Sequence, residues 1–243
     1  MHQGMTRSYM KKGKNRDRKK DYPIYSRGDI FEGKAPGDVF HHIFEQRHWD
    51  VEKGAESISG PGSSREQTRH LIAVLPEFLS SHKIRSMLDI PCGDFNWMRF
   101  VDLAGIDYTG ADVVEAIVSH NRQQYASPQR RFEKLDLLAD ALPAADLLFC
   151  RDCLVHFSYA DIRRAIQNTQ RSGIRFLLTT TFTEEENNED IATGGWRPVN
   201  FEKPPFSWGV PLDLIVEGCT EQNGAFADKS MGLWELADLC APE

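Results

Sequence analysis

The chain has 243 residues, of which 40% are apolar and 27% are charged, a composition typical of one soluble domain with or without an extension. No stretch approaches the ~18 consecutive apolar residues of a membrane span, and no apolar run follows the N-terminal charges to make a signal peptide. The five cysteines are odd in number and scattered, which disfavours a disulfide framework. We therefore expect a cytoplasmic protein in a reducing compartment.

Basic residues are concentrated at the N-terminus. Residues 1–30 hold nine Lys or Arg and three Asp, a net of +6, which leaves −13 for the remainder of a chain whose total is −7. Such a segment is typical of a disordered solubilising tail, and it is also compatible with docking on nucleic acid or an anionic membrane surface. The acidic remainder disfavours a broad nucleic-acid groove.

Two helices are predicted in residues 31–84. Residues 38–54 carry apolar and aromatic side chains at helical spacing and predict a helix and lid over the main domain. A Ser/Gly/Pro loop follows, and either Ser63 with Glu66 or Ser64 with Gln67 forms a capping box for the next helix. We interpret 31–84 as an N-terminal helical segment and 85–243 as the main domain.

Strand and helix patterns alternate from residue 85 onward. Strands are predicted at 85–90, 107–112, 131–136, 145–150 and 174–181, with helices at 113–122 and 159–170. This alternation indicates a parallel sheet covered on both faces. Two later strands, 212–216 and 231–236, have no helix between them and favour antiparallel pairing. The predicted fold is α/β, a Rossmann-like doubly wound sheet of seven strands, mostly parallel, with an antiparallel last strand.

Three predicted strands end in an acid: Asp89, Asp112 and Asp136. Ligands of open parallel sheets bind at the carboxyl ends of the strands, where the strand order reverses. A dinucleotide needs glycines there so that the backbone can approach its pyrophosphate. The stretch LDIPCGDFNWM (88–98) instead has one glycine, Gly93, beside an acidic side chain. NAD and FAD are therefore disfavoured. S-adenosylmethionine has no phosphate, and its ammonium, sulfonium and ribose diol suit carboxylates.

The successive segments LDIPCGDFNWM, YTGADVV, FEKLDLL and ADLLFCRDCLVHF resemble the motifs of the class I S-adenosylmethionine-dependent methyltransferases over about residues 85–160. The usual Gly-x-Gly-x-Gly pattern retains only Gly93, with Pro91 and Phe95 in the flanking places. The resemblance implies that Asp89 and Gly93 contact the methionine part and Asp112 the ribose, while Asp136 and Leu137 contact the adenine. The remaining cofactor contacts predicted around these motifs are Pro91, Asp94, Phe95, Val113 and Arg151.

The segment CRDCLVHF (150–157) provides the candidate catalytic residues. Asp152 and His156 lie four positions apart, so on a helix they would share one face as a base and its orienting partner. The alternatives are a helix cap for Asp152 and a packing role for His156. Cys150 and Cys153 form a lone C-x-x-C, which does not make a zinc site, and we predict no metal.

The long insert after the fifth predicted strand is typical of a substrate loop. Its candidate substrate contacts are Trp196, Arg197, Asn200 and Phe206, with Trp49 on the N-terminal side. An Arg beside a Trp could hold an anionic or sugar-bearing acceptor. The alternative is that these side chains seal the sheet edge.

These patterns predict methyl transfer from S-adenosylmethionine to an oxygen or nitrogen of a small-molecule or glycan-type acceptor. One alternative is methylation of a protein or RNA docked by the basic tail. Another is a non-catalytic S-adenosylmethionine-binding or scaffold subunit.

Overall fold

A computed structural model describes residues 31, 33–49 and 56–239. The predicted basic tail, residues 1–30, lies outside the described residues, as does the end of the helix predicted over 38–54. The division of the chain into tail, helical segment and main domain therefore stays a prediction.

Four helices of ten or more residues and seven strands make up the described regular structure. The helices are α1 (Pro36–Glu45), α2 (Arg65–Ser81), α3 (Glu115–Tyr125) and α4 (Tyr159–Arg171). The strands are β1 (Ser86–Asp89), β2 (Asp107–Asp112), β3 (Arg130–Lys134), β4 (Leu147–Cys150), β5 (Phe176–Phe182), β6 (Asp213–Val216) and β7 (Lys229–Glu235).

The strands form one sheet in the order β3-β2-β1-β4-β5-β7-β6. The first five strands in this spatial order, β3, β2, β1, β4 and β5, pair parallel. Strand β7 pairs antiparallel with both β5 and β6. The strand order reverses between β1 and β4, so the crevice predicted for a ligand lies at the ends of these strands. The predicted seven-stranded, mostly parallel sheet with an antiparallel last strand is confirmed.

The sheet is covered on both faces because successive side chains of a strand point to opposite sides. Met87 packs in a core with Leu71 and Leu75 of α2 and Val118 of α3. Its neighbour Leu88 packs in a second core on the other face, which contains Ile162 of α4. The insert 183–212 also contributes to this second core through four apolar side chains: Val199, Phe201, Phe206 and Trp208.

One predicted helix is shorter in the structure, and the turn after β1 contains little helix. The helix predicted over 38–54 spans only Pro36–Glu45 and is followed by turns. The segment after Gly93 forms only a 3-10 turn at Met98–Phe100. Phe95 lies in the left-handed region at φ 57°, which a regular helix excludes. In the described part of the chain, no helix combines the length and apolar character needed to cross a membrane.

The cap of α2 gives a test of the local fold. The Ser64 side chain accepts a hydrogen bond from the Gln67 backbone N–H at 3.4 Å, so Ser64 is the cap. The reciprocal bond of a capping box does not form, because the Gln67 side chain pairs with Thr220. We expect Ser64→Ala to lower the free energy of unfolding by about 1 kcal/mol, because a helix N–H loses its partner. Ser63→Ala is the matched control and should change it by less than about 0.5 kcal/mol. Urea denaturation of both variants measures this, and equal losses would contradict the assignment.

Candidate active site

A cavity opens at the carboxyl ends of β1, β2 and β4, and its empty volume is about 1190 Å³ including the mouth. The three acids predicted at this edge, Asp89, Asp112 and Asp136, all line it. Pro91, Gly93 and Asp94 line it at the turn after β1. We call this space the cofactor cavity.

Asp89 lies at the floor of the cofactor cavity and is almost fully buried. The Tyr108 hydroxyl donates a hydrogen bond to its Oδ2 at 2.5 Å. Burial raises the pKa of Asp89 to about 7, against the opposing effect of the Tyr108 hydrogen bond. The carboxylate is therefore costly to keep ionised without a cation, and a cationic ligand would favour its charged form.

Asp112 ends β2 and is also buried. Its Oδ1 accepts from the Val114 N–H at 2.9 Å and its Oδ2 from the Gly93 N–H at 3.2 Å. Burial raises the pKa of Asp112 to about 6, although these N–H groups favour the ionised form. Because each carboxylate oxygen can accept further hydrogen bonds, Asp112 still has capacity for donors in the cavity.

The single glycine of the turn is required by its close contact with the loop 57–59. Gly93 has φ 52°, and a Cβ there would overlap the Ser59 side chain. Asp94 fixes the same loop, because its carboxylate accepts from the Ser57 hydroxyl at 2.9 Å and the Ile58 N–H at 2.9 Å. Asp94 reaches the cofactor cavity as predicted, but with its carboxylate already engaged by this loop.

Phe95 does not line the cofactor cavity. Its ring is buried against Tyr108, Tyr125 and Phe132 at centroid distances of 5.1–5.4 Å. The prediction that Phe95 contacts a cofactor is therefore not supported. Its apolar ring fills the core under the turn.

The far end of the cofactor cavity is apolar and is covered by α1. Val113 and Leu137 line it beside Asp136, as predicted. The position of a Cβ on Gly37, in the first turn of α1, is 3.4 Å from Val113 Cγ2 and 3.7 Å from Asp136 Oδ2. The start of α1 thus touches the residues that the sequence assigns to an adenine ring.

A second cavity adjoins the first and has an empty volume of about 1650 Å³ including the mouth. Five residues line both cavities and so mark their junction: Trp49, Ser59, Ser63, Asp152 and His156. Trp196 lines only the second cavity, so the structure brings two of the predicted substrate contacts, Trp49 and Trp196, to this space. We call it the acceptor cavity.

Four charged side chains meet where the two cavities adjoin: Arg151 lines the first, Lys229 the second and Asp152 both, with Glu217 buried behind them. Arg151 contacts Glu217 at 2.7 Å and Asp152 at 3.2 Å, and Lys229 contacts Asp152 at 2.6 Å and Glu217 at 3.7 Å. Each cation thus contacts both carboxylates. We call Arg151, Asp152, Glu217 and Lys229 the charge ring. Its formal charges cancel, which offsets the desolvation of groups that are mostly buried.

The charge ring changes the interpretation of Asp152. Burial alone would raise its pKa, but Arg151 and Lys229 hold the pKa of Asp152 well below its usual range. A carboxylate so strongly stabilised is a poor proton acceptor. Asp152 also lies at φ 51°, outside the helical region, and only a 3-10 turn follows at Leu154–His156. The prediction that Asp152 and His156 share a helix face is wrong.

His156 is oriented by the insert instead. Its Nδ1 lies 2.7 Å from the Gly195 carbonyl oxygen, which can only accept, so Nδ1 carries the proton and Nε2 the lone pair. Burial lowers the pKa of His156 to about 4. The ring packs on Trp49 at 5.1 Å and lines both cavities. His156 therefore presents a neutral imidazole where the two cavities meet.

Three of the predicted substrate contacts have structural roles. The Arg197 guanidinium donates to the carbonyls of Leu154, Val155, Phe157 and Glu189. Asn200 donates to the carbonyls of Thr183 and Glu185. Phe206 packs against Phe201 and Trp208 in the core. All three are buried and line neither cavity, which favours the alternative that they seal the sheet edge.

Sequence reasoning missed Lys229 and Glu217. Lys229 is the first residue of β7 and Glu217 directly follows β6, positions at which charged residues are usually solvent-exposed. Lys229 meets Asp152 across 77 positions of sequence. No local pattern reports such a pair. The one available signal was a lysine at the start of an otherwise apolar strand.

Comparison with known proteins identifies the fold. No protein-family model matches the sequence, and no curated protein matches it. The structure of PigF with SAH aligns with a TM-score of 0.57 and 12% identity, over 88% of this chain and 70% of that one. The methyltransferase domain of bacterial CtHen1-C aligns with a TM-score of 0.51 and 13% identity, over 71% of this chain and 98% of that one.

A weaker likeness, to the PH0226 protein from Pyrococcus horikoshii OT3, has a TM-score of 0.41 and 18% identity and covers 49% of this chain and 60% of that one. At these identities the alignments compare folds. The structural likeness to the methyltransferase domain covers 98% of that domain, and this chain's sheet is mostly parallel with an antiparallel β7. The chain has the fold of the class I S-adenosylmethionine-dependent methyltransferases.

Proposed function

We propose that this protein is an S-adenosylmethionine-dependent methyltransferase that methylates an oxygen or nitrogen of a small-molecule or glycan-type acceptor. The observation that supports this most strongly is the meeting of two cavities at His156, one of them lined by three strand-end acids. A one-step displacement needs a cofactor and an acceptor in adjacent, water-poor sites.

The residues of the cofactor cavity fit the chemical groups of S-adenosylmethionine. Asp89 would hold the ammonium, which would favour the ionised form of this buried carboxylate. Asp112 would accept from the ribose hydroxyls, and Asp136 and Leu137 would contact the adenine. A pyrophosphate fits poorly, because Asp94 places a carboxylate at the turn and the loop 57–59 covers Gly93.

When bound, S-adenosylmethionine supplies a methyl group on a sulfonium. The chain aligns the acceptor in the second cavity and excludes water with Trp49 and α1. For a hydroxyl acceptor, His156 Nε2 would accept the hydroxyl hydrogen bond, because Nδ1 is committed to the Gly195 carbonyl. Since burial lowers the pKa of His156 to about 4, it would take the proton late in the transfer, as the oxygen–methyl bond forms. Asp152 would contribute through the charge ring and not as a base. A non-catalytic binding role would leave the acceptor cavity and the orientation of His156 without a purpose.

The raised pKa of Asp89 predicts a pH-dependent affinity. Asp89 must be ionised to bind an ammonium, and its pKa in the free protein is about 7. Affinity for S-adenosylhomocysteine should therefore fall as pH drops below about 7, approaching tenfold per unit. Asp89→Asn should bind more weakly at pH 8 and lose most of this dependence. Isothermal titration between about pH 8 and pH 6 measures both.

Methylthioadenosine is the control ligand, because it lacks the amino-acid part and so the ammonium. Its affinity should respond to pH much less than that of S-adenosylhomocysteine. An equal response for both ligands would contradict the assignment of Asp89 to the ammonium.

The two candidate catalytic residues give a second prediction. His156→Gln should lower kcat by about 10²–10⁴-fold, the usual contribution of a general base, with cofactor affinity nearly unchanged. Asp152→Asn should lower kcat less and lower Tm more, because Lys229 and Arg151 lose a countercharge. Steady-state kinetics with a hydroxyl acceptor and thermal unfolding separate the two roles. If Asp152→Asn were inactive but had the wild-type Tm, and His156→Gln were active, the two assigned roles would be reversed.

A further inference from the structure

The walls of the acceptor cavity differ in chemistry. One wall is aromatic: Trp196 lies 5.2 Å from Phe226 and 6.0 Å from Phe182, centroid to centroid, and all three rings line the cavity. Edge-to-face clusters of this kind present a rigid apolar surface at little conformational cost. Phe182 and Phe226 are buried and support Trp196, which is half-buried, so a flat or ring-shaped group would pack on Trp196.

The opposite wall is polar, and three of its charged side chains face the same small volume beside Gly62. Gly62 leaves a space there, because a Cβ on it would lie 3.4 Å from Asp152 Oδ2, 3.5 Å from Glu221 Oε2 and 3.7 Å from Lys229 Nζ. Two acceptors and one donor therefore face the same small volume. Gln222 lines the wall beside them and has the left-handed φ of 51°, a strained conformation typical of functional sites.

The charges of this cavity exclude one class of acceptor. Among the described residues that line it, Asp152 is paired with Lys229, which leaves the carboxylates of Glu56 and Glu221 in excess. The Lys229 ammonium is already bound by Asp152 at 2.6 Å and approached by Glu217 at 3.7 Å. A phosphate or carboxylate would meet uncompensated negative charge. Arg197, the cation that the sequence predicted for this role, is committed to backbone carbonyls.

A cationic acceptor is also disfavoured near the reacting atoms. His156 and Trp49 surround the junction of the two cavities and are uncharged, and the Asp152 carboxylate nearby is neutralised within the charge ring. Glu56 is exposed and accepts the Arg65 N–H, so it lies at the rim. Hydroxyl groups, in contrast, can both donate to Asp152 and Glu221 and accept from Lys229.

We propose that the acceptor is an uncharged ring that carries at least two hydroxyl groups, with the ring on Trp196, one hydroxyl in the polar niche at Gly62 and another at His156. This inference rests on the proposed function and specifies its acceptor. In the transfer, the hydroxyl oxygen at His156 forms the bond to the methyl carbon as the carbon–sulfur bond breaks. The electron pair stays on sulfur, and the hydroxyl proton goes to His156 Nε2.

The charge prediction is tested with two matched sets of probes. Catechol, 3,4-dihydroxybenzoate and dopamine form one set, and methyl glucoside, glucuronate and glucosamine the other, each with an uncharged, an anionic and a cationic member. Release of S-adenosylhomocysteine is measured with the wild-type protein. We expect the uncharged member of at least one set to give a kcat/KM at least tenfold above its charged counterparts. A preference for a charged member, or no release with any of the six, would overturn the proposal.

Two glycine variants test the location. Gly62→Ala places a methyl group over the polar niche, and Gly37→Ala places one against Val113 and Asp136 in the cofactor cavity. Neither glycine needs a positive φ, so both variants should fold. We expect Gly62→Ala to raise KM for the acceptor at least fivefold with unchanged affinity for S-adenosylhomocysteine, and Gly37→Ala to show the reverse. An unchanged acceptor KM in Gly62→Ala would contradict the placement of an acceptor hydroxyl at Gly62.

Binding of S-adenosylhomocysteine to the wild type distinguishes a failure of the proposed function from a failure of the proposed acceptor class. Failure to bind would reject the proposed function itself. Normal binding combined with the wrong acceptor preference would reject only the acceptor class.

Discussion

Four charged side chains where the two cavities meet, three of them buried, constrain much of the site. Arg151 and Asp152 follow β4, Glu217 follows β6 and Lys229 begins β7, so the charge ring joins three strand ends across the sheet. Arg151 also donates to the Gly62 carbonyl at 3.0 Å, which ties the loop before α2 to the same point. Removing one member would leave an uncompensated buried charge, the costly way to break such a network.

The charge ring also determines which groups remain free for chemistry. It keeps Asp152 ionised and weakly basic, and it occupies the ammonium of Lys229. His156, held by the Gly195 carbonyl, is left as the neutral group where the cavities meet. In the neighbouring cavity Asp89 and Asp112 are buried and burial raises their pKa values, a cost that a cationic ligand would relieve.

The sequence predicted the sheet well because the strand-like segments that end in Asp89, Asp112 and Cys150 alternate with helix-like segments, which is a local signal. It predicted the three cavity acids because strand ends share one edge of a parallel sheet. It did not predict the turn after Gly93, where Phe95 enters the core and prevents a regular helix. Nor did it reveal that Arg197 and Asn200 hold the insert together, since a buried and a substrate-binding polar residue look alike in sequence.

We infer that the cofactor cavity, at the carboxyl ends of β1 and β4, binds S-adenosylmethionine and not a dinucleotide. Isothermal titration of the purified protein with S-adenosylmethionine and, separately, with NAD tests it most directly. We predict micromolar binding of S-adenosylmethionine with a stoichiometry of about one, and no detectable binding of NAD. Binding of NAD alone, or of neither ligand, would contradict it.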